Sequence, residues 1–317
     1  MSPNNKKRYI QQRFVFMSLD PIHIGIGGHR LGRVDNTIVR EPGTRLPKIP
    51  GTSIAGTARS YAAMQYGKPQ AAGAHKNFIG DKNKCPIIYT FGTAVDTGGG
   101  QAGKVNICDA HLLLFPVYSC TGPVWVSTKD ILEVAGFYLD GAGEERDDVV
   151  YTSLDLQEEN LNLGWLLFAA TTGLKVTFSG CISEEKEWQA VKNRIVIVPA
   201  KLFSQIVNSN LEVRTSVAID PETGAAKDRA LFTYEALPRS TWLWMDVIED
   251  DFVGCFPKTE RQFSGVQENS GDSLAEAWER PLHVVRAGLR LMEYLGVGGM
   301  GTRGFGRLKV MFDWEVQ

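Results

Sequence analysis

Along this chain the apolar positions form strand-like runs, and one clear helical stripe lies near the end. Residues 13–19 (RFVFMSL) predict a strand closed by Asp20-Pro21, with an irregular glycine-rich segment after it. Residues 54–67 (IAGTARSYAAMQYG) predict a helix, with Thr52 or Ser53 as N-cap and Gly67 and Pro69 as its stop. KVNICDAHLLLFPV (104–117) and GPVWV (122–126) predict strands, and STKDILEVAGFYL behind them a capped helix. A short helix over 201–209 leads into a hairpin at 211–235, two β-like arms around an Asp-Pro-x-x-Gly turn. TWLWMDVIE (241–249) predicts a strand. A helix kinked or begun at Pro281 then carries Leu282, Val285, Leu289 and Met292 on one face. A glycine loop and a final strand, FGRLKVMF (305–312), follow.

Strand, helix, paired strands, helix, strand is the order of a ferredoxin-like or RRM-like core. The expected fold is therefore α+β: such a core with large insertions, the β-hairpin among them, in a single domain over 1–317. Residues 68–104 and 141–163 are expected to be flexible insertions.

A chain of 317 residues can bury a sizeable core without a disulfide or metal staple. Its 43% hydrophobic and 22% charged content is that of a globular protein. The five cysteines are scattered and never paired as C-x-x-C, which argues against a disulfide framework or a cysteine zinc site and fits a cytoplasmic location. No apolar run approaches the roughly 20 residues of a membrane span, and the basic start has no signal-peptide core.

The net charge of −2 hides an uneven distribution. Residues 1–60 carry ten Lys/Arg against Asp20, Asp35 and Glu41, and 286–310 carry five against Glu293. The middle of the chain, including the run GEERDD, is acidic. If the two ends meet, they are expected to make a basic face suited to nucleic acid.

Two glycine-rich stretches invite nucleotide-binding labels, and both fail on context. GVGGMGTRGFGR (296–307) has a helix before it and a strand after it, the reverse of a dinucleotide fingerprint. It remains a loop whose backbone N–H groups and Arg303 and Arg307 suit a phosphate backbone. GGGQAGKV (98–105) has Val105 where a P-loop needs Ser or Thr for its metal. The five histidines lack zinc spacing; His111 and His283 read as structural, while His23 and His29 flank a glycine-rich turn where either could assist proton transfer. In the hairpin, Arg214, Lys227, Arg229, Phe232 and Tyr234 fit two roles. They could pack on a neighbouring surface, or push apolar groups between nucleic-acid bases.

Asp35 is one carboxylate amid Arg30, Arg33, Arg40, Arg45, Lys48 and Arg59. That setting fits a plain ion pair as well as a reactive site. The motifs GRVDNTIVRE, LPKIPGTSIAGTARS, ICDAHLLLFPV, AIDPETGAAKDRALFTYEALP and GVGGMGTRGFGRL together resemble the RAMP superfamily. More narrowly, they resemble the repeated backbone subunit of type III CRISPR effector complexes, Cmr type, with the shorter Csm-type counterpart as second choice. The resemblance runs from about Phe14 to Val310.

That resemblance implies a subunit that stacks into a filament along crRNA and cuts the paired target RNA at regular intervals. It implies as partners further copies of the chain and the large, small and guide-capping subunits, and no membrane. The hairpin would be a thumb that displaces bases at each subunit boundary. Asp35 would be the catalytic residue, and cleavage would depend on divalent metal (Mg2+ or Mn2+) held in part by Asp35. No organic cofactor is expected. The 2′-hydroxyl would attack, leaving a 2′,3′-cyclic phosphate and a 5′-hydroxyl. An unperturbed aspartate, pKa about 3.9, is a poor base at neutral pH, which favours a positioning or metal role. His29, Arg40 and Arg45 are the candidate assisting groups. Lys48, Ser53, Thr57 and Arg59 around the first helix, with Arg214, Lys227, Arg229, Phe232, Arg303 and Arg307, are the candidate RNA contacts. The competing readings are a non-catalytic crRNA-binding scaffold in the same filament, and a small-molecule enzyme using the glycine loop.

Overall fold

The computed structural model describes residues 9–27, 34–73, 81–93, 100–178, 185–258 and 277–316. In chain order the first half holds β1 (Ile10–Ser18), α1 (Gly51–Gln65), α2 (Pro86–Phe91), β2 (Val105–Ile107), β3 (His111–Ser119), β4 (Gly122–Ser127), α3 (Lys129–Val134) and β5 (Phe137–Asp140). Next come β6 (Val149–Thr152), β7 (Asn160–Leu163), β8 (Leu166–Thr171), β9 (Lys175–Phe178), α4 (Lys186–Val191), β10 (Ile195–Ile197) and α5 (Ala200–Ser209). The chain ends with β11 (Glu212–Ile219), β12 (Ala226–Ala236), β13 (Trp242–Glu249), α6 (Pro281–Leu295) and β14 (Leu308–Glu315).

The main sheet runs β14-β1-β13-β3-β4-β10-β6-β8-β7, with β2 also paired to β13. Its first four positions are antiparallel neighbours. Together with α1 and α6 they make the β-α-β-β-α-β core expected from the sequence. β1 shows why the run FVFM is apolar throughout rather than alternating. Phe14 and Phe16 enter one core, shared with Ile54 and Ala58 of α1 and Leu282, Val285, Leu289 and Met292 of α6. Val15 and Met17 enter a second core on the opposite face, with Leu132 of α3 and Trp188 of α4. A strand covered on both sides needs apolar residues at successive positions. Truncating one of these buried leucines to alanine costs about 2–5 kcal/mol.

α1 and α6 cross at one close contact. A Cβ on Gly288 would run into the Ala58 carbonyl, so only glycine lets the backbones meet there. α6 begins at Pro281 in the first turn, where the missing N–H costs nothing, so the helix is not kinked.

Two local expectations are corrected. Neither Thr52 nor Ser53 caps α1. Its N-cap is Pro50, and the Gly51 N–H donates to Asp109 Oδ1 at 2.7 Å. The run 104–117 is two strands, because Ala110 leaves the sheet to exchange backbone hydrogen bonds with Ile49. Within 68–104 and 141–163 the described residues include packed structure. Val150 of β6 and Leu161 of β7 are fully buried, and Cys85, Ile87 and Ile88 pack at α2 against α1 and α6. Cys85, Cys108, Cys120 and Cys255 are free thiols. No described helix is long and apolar enough to cross a membrane.

Candidate active site

Four successive residues of β12 organise the site. A strand turns alternate side chains to opposite faces, so Phe232 and Tyr234 face one way and Thr233 and Glu235 the other. On the first face, Tyr234 meets Phe232 (ring centroids 6.0 Å) and Phe305 of the glycine loop (5.5 Å). Arg303 lies over the Phe232 ring at 5.6 Å, and Arg214 of β11 over Phe305 at 4.7 Å. Rings of this kind attract a guanidinium to their faces.

The Asp35 loop runs alongside β12, with Asn36 bridged to Tyr234 in parallel. The exposed Asp35 accepts at Oδ2 from the Thr233 N–H (2.7 Å) and the Thr233 hydroxyl (3.0 Å), and its own N–H donates to Thr233 Oγ1 (3.1 Å). Backbone bonds continue the join. The Asn36 N–H donates to the Thr233 carbonyl at 3.0 Å, and the Glu235 N–H to the Asn36 carbonyl at 3.0 Å. Arg40 then donates from Nη2 to Glu235 Oε2 at 2.7 Å and from Nε to Asn208 Oδ1 at 2.7 Å. A slip of one residue in β12 would exchange the two faces and undo both sets of contacts.

The glycine loop closes the arrangement from behind. Its preceding helix presents a C-terminus, capped by Gly296, so no positive helix end faces a ligand. Gly298 has φ +87°, and a Cβ there would strike the His23 carbonyl, so the loop lies flat against the segment after β1. His23 is buried, with Nδ1 2.6 Å from the Glu235 carbonyl.

The remaining candidates divide. Arg45 stands at an exposed turn with φ 61°. Lys48 pairs with Asp109 at 2.5 Å, and Arg59 donates to the Ala71 carbonyl at 2.9 Å, its pKa lowered by burial. Ser53 and Thr57 are half-buried on α1. These four form a group around α1, apart from the contacts of the β12 root. Arg214 is held by Glu212 at 2.5 Å, and Arg307 by Asp20 through two bonds, at 2.5 and 3.0 Å. The Arg307 bonds hold the Asp20 carboxyl below its ordinary range. His29 and the side chains of Lys227 and Arg229 lie outside the described residues.

The two basic segments do meet, through β1 and β14, and among the described residues several of their cations are paired with carboxylates. Arg13, Arg40, Lys48, Arg286, Arg307 and Lys309 pair with Asp246, Glu235, Asp109, Asp313, Asp20 and Glu187. Arg45 and Arg303 have no carboxylate partner among the described residues. The sequence reading missed Thr233, Glu235 and Asp109. Only the alternation in FTYE hints that Thr233 and Glu235 share a face.

Asp35 offers chemistry of a limited kind. Among the described residues no three His, Cys, Asp or Glu side chains gather as a metal cage. A single exposed carboxylate does fit a hydrated Mg2+ or Mn2+ that takes its other oxygens from water and a substrate phosphate.

Residues 16–309 match the RAMP superfamily. Over 245 residues the chain is 26% identical to the CRISPR system Cmr endoribonuclease Cmr4 of Pyrococcus furiosus, covering 71% of this chain and 76% of that protein. The fold matches the type III-B Cmr-beta complex bound to cognate target RNA, with TM-score 0.60, 14% identity and coverage of 95% and 97%. It also matches oligomeric Cmr4 from Pyrococcus furiosus, with TM-score 0.57, 19% identity and coverage of 97% and 99%.

Proposed function

This chain belongs to the RAMP superfamily, and from that membership and the site at Asp35 we propose that it is the repeated backbone subunit of a type III CRISPR effector complex, Cmr type. It binds crRNA and cuts the paired target RNA endonucleolytically at regular intervals. Further copies of the chain, and the large, small and guide-capping subunits, are its partners. The observation that carries the nuclease reading is the placement of Asp35: a solvent-facing carboxylate fixed to the root of a projecting two-stranded ribbon.

Attack of a ribose 2′-hydroxyl on its neighbouring phosphate requires the entering and leaving oxygens to be in line. A nucleotide splayed by the β11–β12 ribbon has that alignment, and orientation alone supplies up to about 7–11 kcal/mol of the barrier. Asp35 sits at the ribbon root to orient the reacting group. Arg303, with no carboxylate partner among the described residues, lies on the opposite face, where it grips RNA backbone. Asp35 would hold a divalent ion, which would supply charge neutralisation for the phosphate under attack. Base pairing with the guide reads the target sequence, so the protein needs no base-specific contacts.

The scaffold reading draws on the same Thr233 bonds, which would then make Asp35 a strut and nothing more. Guide-loaded complex carrying Asp35→Asn separates the two. We expect target cleavage to be lost while crRNA and target stay bound. Cleavage at the unaltered rate would leave only the scaffold.

A further inference from the structure

We infer that Thr233 is a positioning residue for cleavage, aiming the Asp35 carboxylate through its hydroxyl. The inference rests on the reading of Asp35 just given. Three hydrogen bonds join the two residues, although 198 positions separate them in the chain. Two of the three pass through Thr233 Oγ1, which donates to Asp35 Oδ2 and accepts from the Asp35 N–H. One hydroxyl therefore fixes both ends of the aspartate: its backbone and one carboxylate oxygen. With that oxygen held, the carboxylate cannot rotate about its last bond without breaking two contacts, and its second oxygen has a set direction.

The geometry also links two parts of the proposed mechanism. Thr233 lies on the ribbon strand, between Phe232 and Tyr234, whose rings are seated against Arg303 and Phe305. A ribbon seated in this register presents the hydroxyl to Asp35. A ribbon lifted or slipped withdraws it. Cleavage is thereby tied to a correctly placed thumb, by a contact that need not touch RNA.

The test uses guide-loaded, assembled complex in saturating excess over target, so that cleavage is read in a single turnover. Thr233→Val keeps the branched shape and the backbone N–H bond but removes both hydroxyl bonds. Hydrogen bonds to charged groups of this kind set an expected rate loss of about 10- to 100-fold. The complex concentration for half-maximal rate, the fragment lengths and crRNA retention should stay unchanged. Thr233→Ser restores the hydroxyl and should recover most of the rate, which a purely structural role would not require. Thr233→Ala serves the same comparison if the valine variant assembles poorly. Asp35→Asn is run beside them. If it is inactive while the valine or alanine variant cuts at the normal rate, Thr233 has no positioning role and the Asp35 reading survives. If serine is as slow as valine, the hydroxyl is not responsible and the inference falls. If Asp35→Asn itself cuts normally, the underlying reading fails first.

Discussion

Arg40 and Glu235 form an ion pair at 2.7 Å that bolts the Asp35 loop to the ribbon root, with side chains only 14% and 13% exposed. Asn208 and the Ile38 carbonyl take further donors of the same guanidinium. With its donors committed in this way, Arg40 acts here as a brace, and a phosphate would have to compete with Glu235 for it.

Removing one member of such a pair strands the other. A fully buried pair broken in this way costs about 3–5 kcal/mol, and the residual exposure here lowers the expectation to about 2–4 kcal/mol for Arg40→Met. Cleavage should fall together with thermal stability. A double-mutant cycle with Glu235→Gln, read by denaturant unfolding, should return a coupling energy well above zero. Additive losses would mean that the pair is not formed.

Asp109 makes the protein sensitive to acid. Burial alone would push its carboxyl up, but Lys48 and the Gly51 N–H outweigh that and leave it below the usual range. Asp20 is lowered as well, first by its hydrogen bonds from Arg307. A carboxylate whose folded pKa lies below its unfolded value adds stability that is complete at neutral pH and is lost as pH falls through the folded value. Melting temperature should therefore hold from pH 7 to about 5 and drop below about 4. Asp109→Asn should melt lower at pH 7 and show a shallower acid drop. An acid limb as steep as the parent's would contradict this role.

Arg303 and Arg307 should behave differently, although four positions apart on one loop. Arg303 stacks on Phe232 with no carboxylate partner among the described residues, whereas Arg307 is held by Asp20. Arg303→Ala should weaken crRNA retention and reduce the slope of log affinity against log salt by about 1. Arg307→Ala should leave that slope nearly intact. Filter binding across a salt series decides, and equal slopes in the two variants would count against the distinction.

The ribbon tip is the part whose loss should change the pattern of products. Replacing residues 220–229 by a tight Gly-Ser turn leaves the β12 root, and so Asp35, in place. Fragment spacing on a long target should become irregular while crRNA stays bound. Unchanged fragment lengths would remove the thumb role from the ribbon.

Much of this architecture was legible in the sequence because it depends on local patterns. The doubly apolar run FVFM, the stripe Leu282 to Met292, and the Asp-Pro-x-x-Gly turn each state their own structure. What stayed hidden depends on distance or brevity. Asp109 sits 58 positions from the helix N-terminus it caps, and Arg40 lies 195 from Glu235. No window of sequence joins such pairs. β6 and β7 are four residues each, too short to give a clear period. The pairing within the basic segments was hidden for a related reason: charge counts along the chain do not reveal that Arg13 or Lys309 will meet a carboxylate in the fold.

The most direct test is a cryo-microscopy structure of the assembled complex with crRNA and a target carrying a 2′-deoxy nucleotide at each cleavage position, which blocks attack. We expect the Asp35 carboxylate beside the scissile linkage, in reach directly or through one water or metal ion, with Thr233 still bonded to it. Asp35 lying remote from every cleaved linkage would rule out its role in cleavage.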